Sequence, residues 1–261
     1  MRLFILISPK WLKDFAGGWI FYTTLPKIPK INPSFNRIAR FAPLIGILLG
    51  VIQSSIWLLL EKAGFSKEIL PFFIVSTNIF ITGGLHLDGL IDTADGFAAS
   101  KEKRFKAMKD SRIGSIGLLS LVSILFIQLA SLNKLNTFAP IAIIISSFWG
   151  RFSTILAINY FPYLHREINP SFHHKHWKGF IKESKVSFII LSFMIFAIYI
   201  FPMEMVFSIK IIVASLSGII PSIYIPNLLA NYFEGHSGDT YGACVVLVET
   251  FMLFALALIL Y

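Results

Sequence analysis

The sequence is poor in charge and nearly devoid of cysteine. Only 14% of its 261 residues are Asp, Glu, Lys or Arg, and Cys244 is the single cysteine. Soluble domains carry about 25% charged residues, so the composition excludes an ordinary soluble domain. One cysteine allows no internal disulfide and no Cys-x-x-Cys metal site. Acids are scarcest, 14 against 23 basic residues. No internal repeat and no low-complexity tract is visible. The opening stretch MRLFILISPKWLKD has an apolar run too short to span a bilayer and lacks a small-residue cleavage site, so it is not expected to be a signal peptide.

Long apolar runs are abundant instead, with 56% hydrophobic residues and a mean hydropathy of +0.73. Several reach the ~20 residues that cross a hydrocarbon core of ~30 Å. The expected fold is all-α: a polytopic integral membrane helix bundle of about seven transmembrane helices, forming one membrane-embedded domain over 1–261. The spans are expected near 41–60, 67–85, 113–132, 138–160, 186–202, 206–229 and 242–261. The second and fifth have the shortest apolar cores, with Pro71 and Pro202 at their edges.

A net charge of +9 would suit nucleic acid in a soluble protein, but among membrane spans Lys and Arg report topology, and no nucleic-acid partner is expected. With the N-terminus cytoplasmic, the inside segments 1–40, 86–112, 161–185 and 230–241 hold 18 Lys and Arg, and the outside segments hold four, Lys62, Lys67, Lys134 and Lys210. This bias orients the chain with its N-terminus inside, its C-terminus outside and its polar loops facing the cytoplasm.

Three of the few acids fall together in GGLHLDGLIDTADGF, residues 83–97. Asp88, Asp92 and Asp95 are spaced i, i+4 and i+7, which puts them on one helix face. Like charges so placed repel, and a hard divalent cation with oxygen ligands relieves the repulsion. Mg²⁺ commonly sits on one or two carboxylates together with substrate phosphates, so the pattern suits phosphoryl transfer. The competing reading is a solvated helix start capped by Asp. Gly83, Gly84, Gly89 and Gly96 would let a bulky substrate or another backbone approach. Downstream, KAMKDSRIGSIG (106–117) adds Asp110 as a possible fourth carboxylate, with Lys109 and Arg112 to hold phosphate oxygens and Ser111 between them. Gly114 and Gly117 suggest close helix packing.

Arg151 falls inside the run 138–160 and requires a carboxylate or a phosphate as partner. EGHSGDTYGACVVLVET gathers Glu234, His236, Asp239 and Glu249 around one span entrance. Asp239 is a candidate N-cap there, and Glu249, within an apolar helix, needs a partner or a proton. Gln53 and Asn78 read as helix–helix contacts. The histidines of SFHHKHWKGF (His173, His174, His176) fit no standard zinc spacing and read as a basic interfacial loop.

GGLHLDGLIDTADGF, MKDSRIGSIG, FWGRF and GHSGDTYGA, in that order, with FYTTLPKIP and FAPLIGILLG before them, resemble the cobalamin synthase family, the adenosylcobinamide-GDP ribazoletransferases. The resemblance runs over nearly the whole chain, departing at Leu87 and Val246, where the family tends to carry acids. It implies a Mg²⁺-dependent enzyme of the bacterial cytoplasmic membrane that joins adenosylcobinamide-GDP to α-ribazole or its 5′-phosphate and releases GMP. In that reading Asp88, Asp92, Asp95 and Asp110 hold metal. His86, or an Asp that does not hold metal (Asp95 if it is left free), serves as base, and Lys109, Arg112 or Arg151 stabilises the leaving charge. Gly83, Gly84, Ser111, His236, Asp239 and Glu249 line the substrates. The alternatives are a CDP-alcohol phosphotransferase-like enzyme, which Asp92-x-x-Asp95-Gly96-x-x-Ala99 partly resembles, and a transporter. Oligomeric state is left open.

Overall fold

The computed structural model describes residues 8–164, 172–200 and 205–260. These residues form α-helices, joined mostly by short turns and by a longer connection over 23–41, with one isolated bridge between Tyr163 and His236 and no strand among them. The helices are α1 (Lys10–Tyr22), α2 (Ala42–Lys62), α3 (Leu70–Thr82), α4 (Leu85–Ala98), α5 (Arg104–Met108), α6 (Ser115–Leu135), α7 (Ala139–Tyr160), α8 (Phe172–Lys175), α9 (Phe180–Ile200), α10 (Met205–Ser217), α11 (Ile219–Phe233) and α12 (Gly238–Ile259).

Four helical stretches are long and apolar enough to cross a membrane: Ala39–Lys62, Ser115–Tyr160, Ser208–Phe233 and Gly238–Ile259. Counting the bent pair α3 and α4 as one makes five. The stretch Ser115–Tyr160 breaks at Asn136, whose φ of 50° and ψ of −116° end α6 before α7 begins. The expected spans 113–132, 138–160 and 242–261 match α6, α7 and α12 closely. The expected span 67–85 does not: α3 has 13 residues, about 20 Å of helix at 1.5 Å per residue, and the chain then turns by 91° into α4. Gly83 and Gly84 make this turn with φ of 62° and 70°, a left-handed conformation that glycine adopts without strain. The span expected at 186–202 is covered by α9 to Ile200, and its end at 201 and 202 lies outside the described residues.

Proline starts three of the long helices, Pro43 in α2, Pro71 in α3 and Pro140 in α7, where its missing N–H costs nothing. The last helix, α12, begins with a reciprocal capping box. Ser237 Oγ accepts from Thr240 N at 3.3 Å, and Thr240 Oγ1 accepts from Ser237 N at 2.7 Å. The N-cap is therefore Ser237 rather than Asp239, which sits in the first turn of α12.

The middle of the fold is α7, buried without interruption from Ile145 to Ile158 and packed mainly on α2 and α12. Gly46 and Gly50, spaced i, i+4 on α2, form a small-xxx-small face that lets the two backbones touch. A β-carbon at Gly50 would lie 2.9 Å from the Ile144 Cα. Gly50→Leu is therefore expected to prevent folding. In detergent, size-exclusion chromatography should show aggregate for that variant and a single monodisperse peak for the wild type.

Candidate functional site

The site is built where α4 meets α12. Glycines set the distance: a β-carbon at Gly89 would stand 2.6 Å from the Asp239 carbonyl oxygen, and one at Gly242 would stand 3.3 Å from the His86 Cα. This close approach brings Asp88 and Asp239, remote in sequence, to the wall of one cavity of about 440 Å³ that His86 also lines. His86 is 8% exposed and its ring stacks on Tyr22, centroids 6.2 Å apart.

A second cavity of about 300 Å³ lies beside the α4 terminus and is lined by Asp95, Asp110, Arg112 and Gly114. Asp92 lies between Asp88 and Asp95 on the same face of α4 and lines neither cavity. The like charges acting on it are those of Asp239, Asp88 and Asp95. The expected one-faced carboxylate row is thus present on α4, and Asp239 joins it from α12.

Asp95 has a structural partner that sequence spacing did not foresee. Its carboxylate accepts from Gly114 N at 2.7 Å and Gly117 N at 2.8 Å, binding two of the free N–H groups that begin α6. A β-carbon at Gly117 would lie 2.6 Å from Asp95 Oδ2, so glycine there is what lets the carboxylate seat. The expected close packing at Gly114 and Gly117 is the docking of α4 onto this helix start. Asp110 is likewise engaged. Its two oxygens accept from Arg112 Nε at 3.0 Å and Nη2 at 2.8 Å, and the guanidinium holds the Asp110 carboxyl far below its usual range. The Arg112 side chain remains 87% exposed, and Lys109 and Ser111 are exposed beside it. Lys109 is close enough to Asp239 for its charge to act there.

Other expected site residues take supporting positions. Gly83 and Gly84 form the α3–α4 turn and line neither cavity. His236 is 0% exposed: Nε2 donates to the Pro226 carbonyl at 3.2 Å, leaving Nδ1 to accept from the Thr240 hydroxyl at 3.0 Å. Its backbone also bonds to Pro162 and Leu164, so His236 locks the 161–164 segment onto the corner between α11 and α12. Burial pushes its pKa down to about 4, which keeps the ring neutral at pH 7. Arg151 and Glu249 are buried together and form an ion pair between α7 and α12, with a second bond from Arg151 Nη1 to the Ser147 carbonyl at 3.2 Å. Each supplies the partner that the other required. Arg151 lies about one turn along α7 from Thr154, which with Ile158 brings that helix to the larger cavity. Glu234 pairs with Lys101 at the surface, 2.7 Å apart.

The larger cavity also has an aromatic wall that sequence reasoning missed. Phe21, Tyr22, Tyr163, His173 and Tyr241 reach it from four separate segments, which no local spacing could reveal. The loop SFHHKHWKGF is not merely interfacial, because His173 turns inward and Trp177 Nε1 donates to Asn159 Oδ1 at 3.0 Å.

No solved structure matches this chain. A family model described as Cobalamin-5-phosphate synthase matches residues 14–257. An adenosylcobinamide-GDP ribazoletransferase of Prochlorococcus marinus is 48% identical over 254 residues, covering 97% of this chain and 98% of that protein. One from another strain of the same species is 41% identical over 259 residues, covering 97% and 98%. A protein of the same name from Synechocystis sp. is 33% identical over 257 residues, covering 95% and 96%. With the acidic face of α4, its glycine-set contact with α12 and the match extending over almost its full length, the chain belongs to the cobalamin-5-phosphate synthase family.

Proposed function

We propose that this chain joins adenosylcobinamide-GDP to α-ribazole, or to α-ribazole 5′-phosphate, and releases GMP, late in cobalamin biosynthesis. The observation that carries the reading is near-full-length identity of 48% to a ribazoletransferase. The geometry supports it, because Asp88 lines one cavity, Asp95 lines the other, and Asp92 lies between these two on the same face of α4.

Mg²⁺ is the cofactor we assign. The acidic face offers only hard carboxylate oxygens, the donor type this ion selects. Among the described residues no three His, Cys, Asp or Glu are grouped to hold an ion unaided. That is compatible with Mg²⁺, which takes one or two carboxylates and completes its shell with phosphate and water. Asp92, with Asp88 or Asp239, would hold it, since the oxygens of Asp95 and Asp110 are already bonded. Bound there, Mg²⁺ supplies charge neutralisation at the phosphates.

The chain's own residues do the rest. The exposed Arg112 binds the pyrophosphate of adenosylcobinamide-GDP at the smaller cavity, and Lys109, whose charge acts on Asp239, binds it from the side of the larger one. His86, lining the larger cavity, accepts the proton of the 5′-hydroxyl as that oxygen bonds to the phosphorus attached to cobinamide. The bond from that phosphorus to GMP breaks, and GMP leaves with the electron pair. Holding both reactants in line contributes the larger part of the rate. We place the N-terminus and the acidic face on the cytoplasmic side of the bacterial inner membrane, on the Lys and Arg bias of 18 to four.

Purified protein in detergent, supplied with Mg²⁺, adenosylcobinamide-GDP and α-ribazole, should release GMP and form adenosylcobalamin in equal amounts. Chelation should stop both. No GMP from monodisperse protein would refute the reading.

A further inference from the structure

The larger cavity is chemically two-sided. Asp88 and Asp239 stand on its wall, yet the same space is bounded by aromatic rings. His173 meets Phe21 with centroids 6.3 Å apart and planes at 87°, and meets Tyr241 at 6.3 Å and 76°. Tyr163 lies against Tyr241 at 6.4 Å and 33°. These spacings are those of mutually supporting ring pairs, so the rings brace one another into a wall rather than point apart. Leu85 and Ile158 add apolar surface. The smaller cavity, by contrast, holds Asp95, Asp110 and Arg112 and no aromatic ring.

The two substrates differ in the same way. α-Ribazole is a small nucleoside whose benzimidazole base is flat and edged by methyl groups. Guanine is flat too, but its edge carries several donors and acceptors that must find partners when buried. The side chains Phe21, Leu85 and Ile158 offer none, and with the aromatic rings they give the larger cavity a surface on which a flat apolar base packs without stranding a polar edge.

We propose that the larger cavity is the acceptor site, with the base of α-ribazole against Tyr163, His173 and Tyr241 and its ribose turned toward Asp88 and Asp239. His173 is then a specificity-determining residue. The proposal rests on the transferase reading and adds which substrate occupies which cavity. It gives the α4 carboxylates a common use: Asp88 lines the larger cavity and Asp95 the smaller, so the hydroxyl of a nucleoside in the larger one approaches a phosphate held at the smaller one along that face.

Steady-state kinetics with each substrate varied in turn provides the test. His173→Ala should raise the KM for α-ribazole about tenfold, the scale of one lost base–ring stack, and leave the KM for adenosylcobinamide-GDP unchanged. His173→Phe, which keeps a ring, should restore the acceptor KM. Tyr163→Leu gives the same test should His173→Ala not fold. A rise in the KM for adenosylcobinamide-GDP instead would assign the cavity to guanine and overturn the proposal, as would no change in either KM. If the wild-type protein releases no GMP, the transferase reading falls and the cavity is judged separately by equilibrium binding of α-ribazole alone. Binding weaker in His173→Ala than in wild type supports the acceptor site; equal or absent binding overturns it.

Discussion

Asp92→Asn abolishes turnover and leaves the protein folded. In that variant kcat should fall by about three orders of magnitude, because a metal-held phosphate contributes several kcal/mol to transition-state stabilisation and each 1.36 kcal/mol is a factor of ten. Stability should move the other way. Asp92 is half-buried and faces the like charges of Asp239, Asp88 and Asp95, so replacing it with a neutral isostere of almost the same size removes repulsion. The melting temperature in detergent without metal should be equal to or above that of the wild type. An activity loss paired with a stability gain marks a group kept for function against the interest of the fold. Asp95→Asn should behave differently. It weakens the charged cap on the start of α6, so its melting temperature should drop.

The second large effect is on folding. Removing one member of a buried ion pair leaves an uncompensated charge and costs about 3–5 kcal/mol. Arg151 and Glu249 are such a pair, with Arg151 1% exposed on α7, which is buried from Ile145 to Ile158. Glu249→Leu should therefore give little monodisperse protein, and Arg151→Met should be similarly impaired. Replacing both by apolar residues of similar volume, Arg151→Met with Glu249→Leu, should recover most of the lost stability, since such swaps are often neutral or better. Thermal melting of the four proteins closes a double-mutant cycle, and the coupling should be large. The recovered double variant should also keep GMP release within about tenfold of the wild type, because Arg151 lies about one turn along α7 from Thr154 and neither member of the pair lines either cavity. Loss of turnover in the folded double variant would instead return Arg151 to the role of stabilising the leaving phosphate.

What was legible in the sequence follows from how local each signal is. The long helices α2, α6, α7 and α12 were readable because a continuous apolar run is a local property. The run over 67–85 was equally apolar but held a turn. Gly83 and Gly84 were the only local sign that it would bend by 91° rather than continue. The carboxylate face of α4 was readable from the spacing of Asp88, Asp92 and Asp95 alone, a helical periodicity. The partners of that face were not. Asp239 reaches it because Gly89 and Gly242 let α4 and α12 touch, and Asp95 leaves it because Gly114 and Gly117 open the start of α6. Both depend on packing across many residues of chain. The need of Arg151 for an anion was evident from its position, and only packing decided that the anion is Glu249. His236 looked like a ligand-facing residue in a glycine-rich loop, yet two buried hydrogen bonds make it a brace. The aromatic wall left no sequence trace, being assembled from residues as far apart as Phe21 and Tyr241.

We propose that Asp92 anchors a divalent cation on the acidic face of α4, between Asp88 and Asp95, and metal binding is the property to measure. Mn²⁺, read by electron paramagnetic resonance with adenosylcobinamide-GDP present, should bind the wild-type protein and lose at least about tenfold in affinity in Asp92→Asn. Asp110→Asn, whose carboxylate is already committed to Arg112, should bind as the wild type does. Unchanged Mn²⁺ affinity in a folded Asp92→Asn variant would remove Asp92 from the metal site.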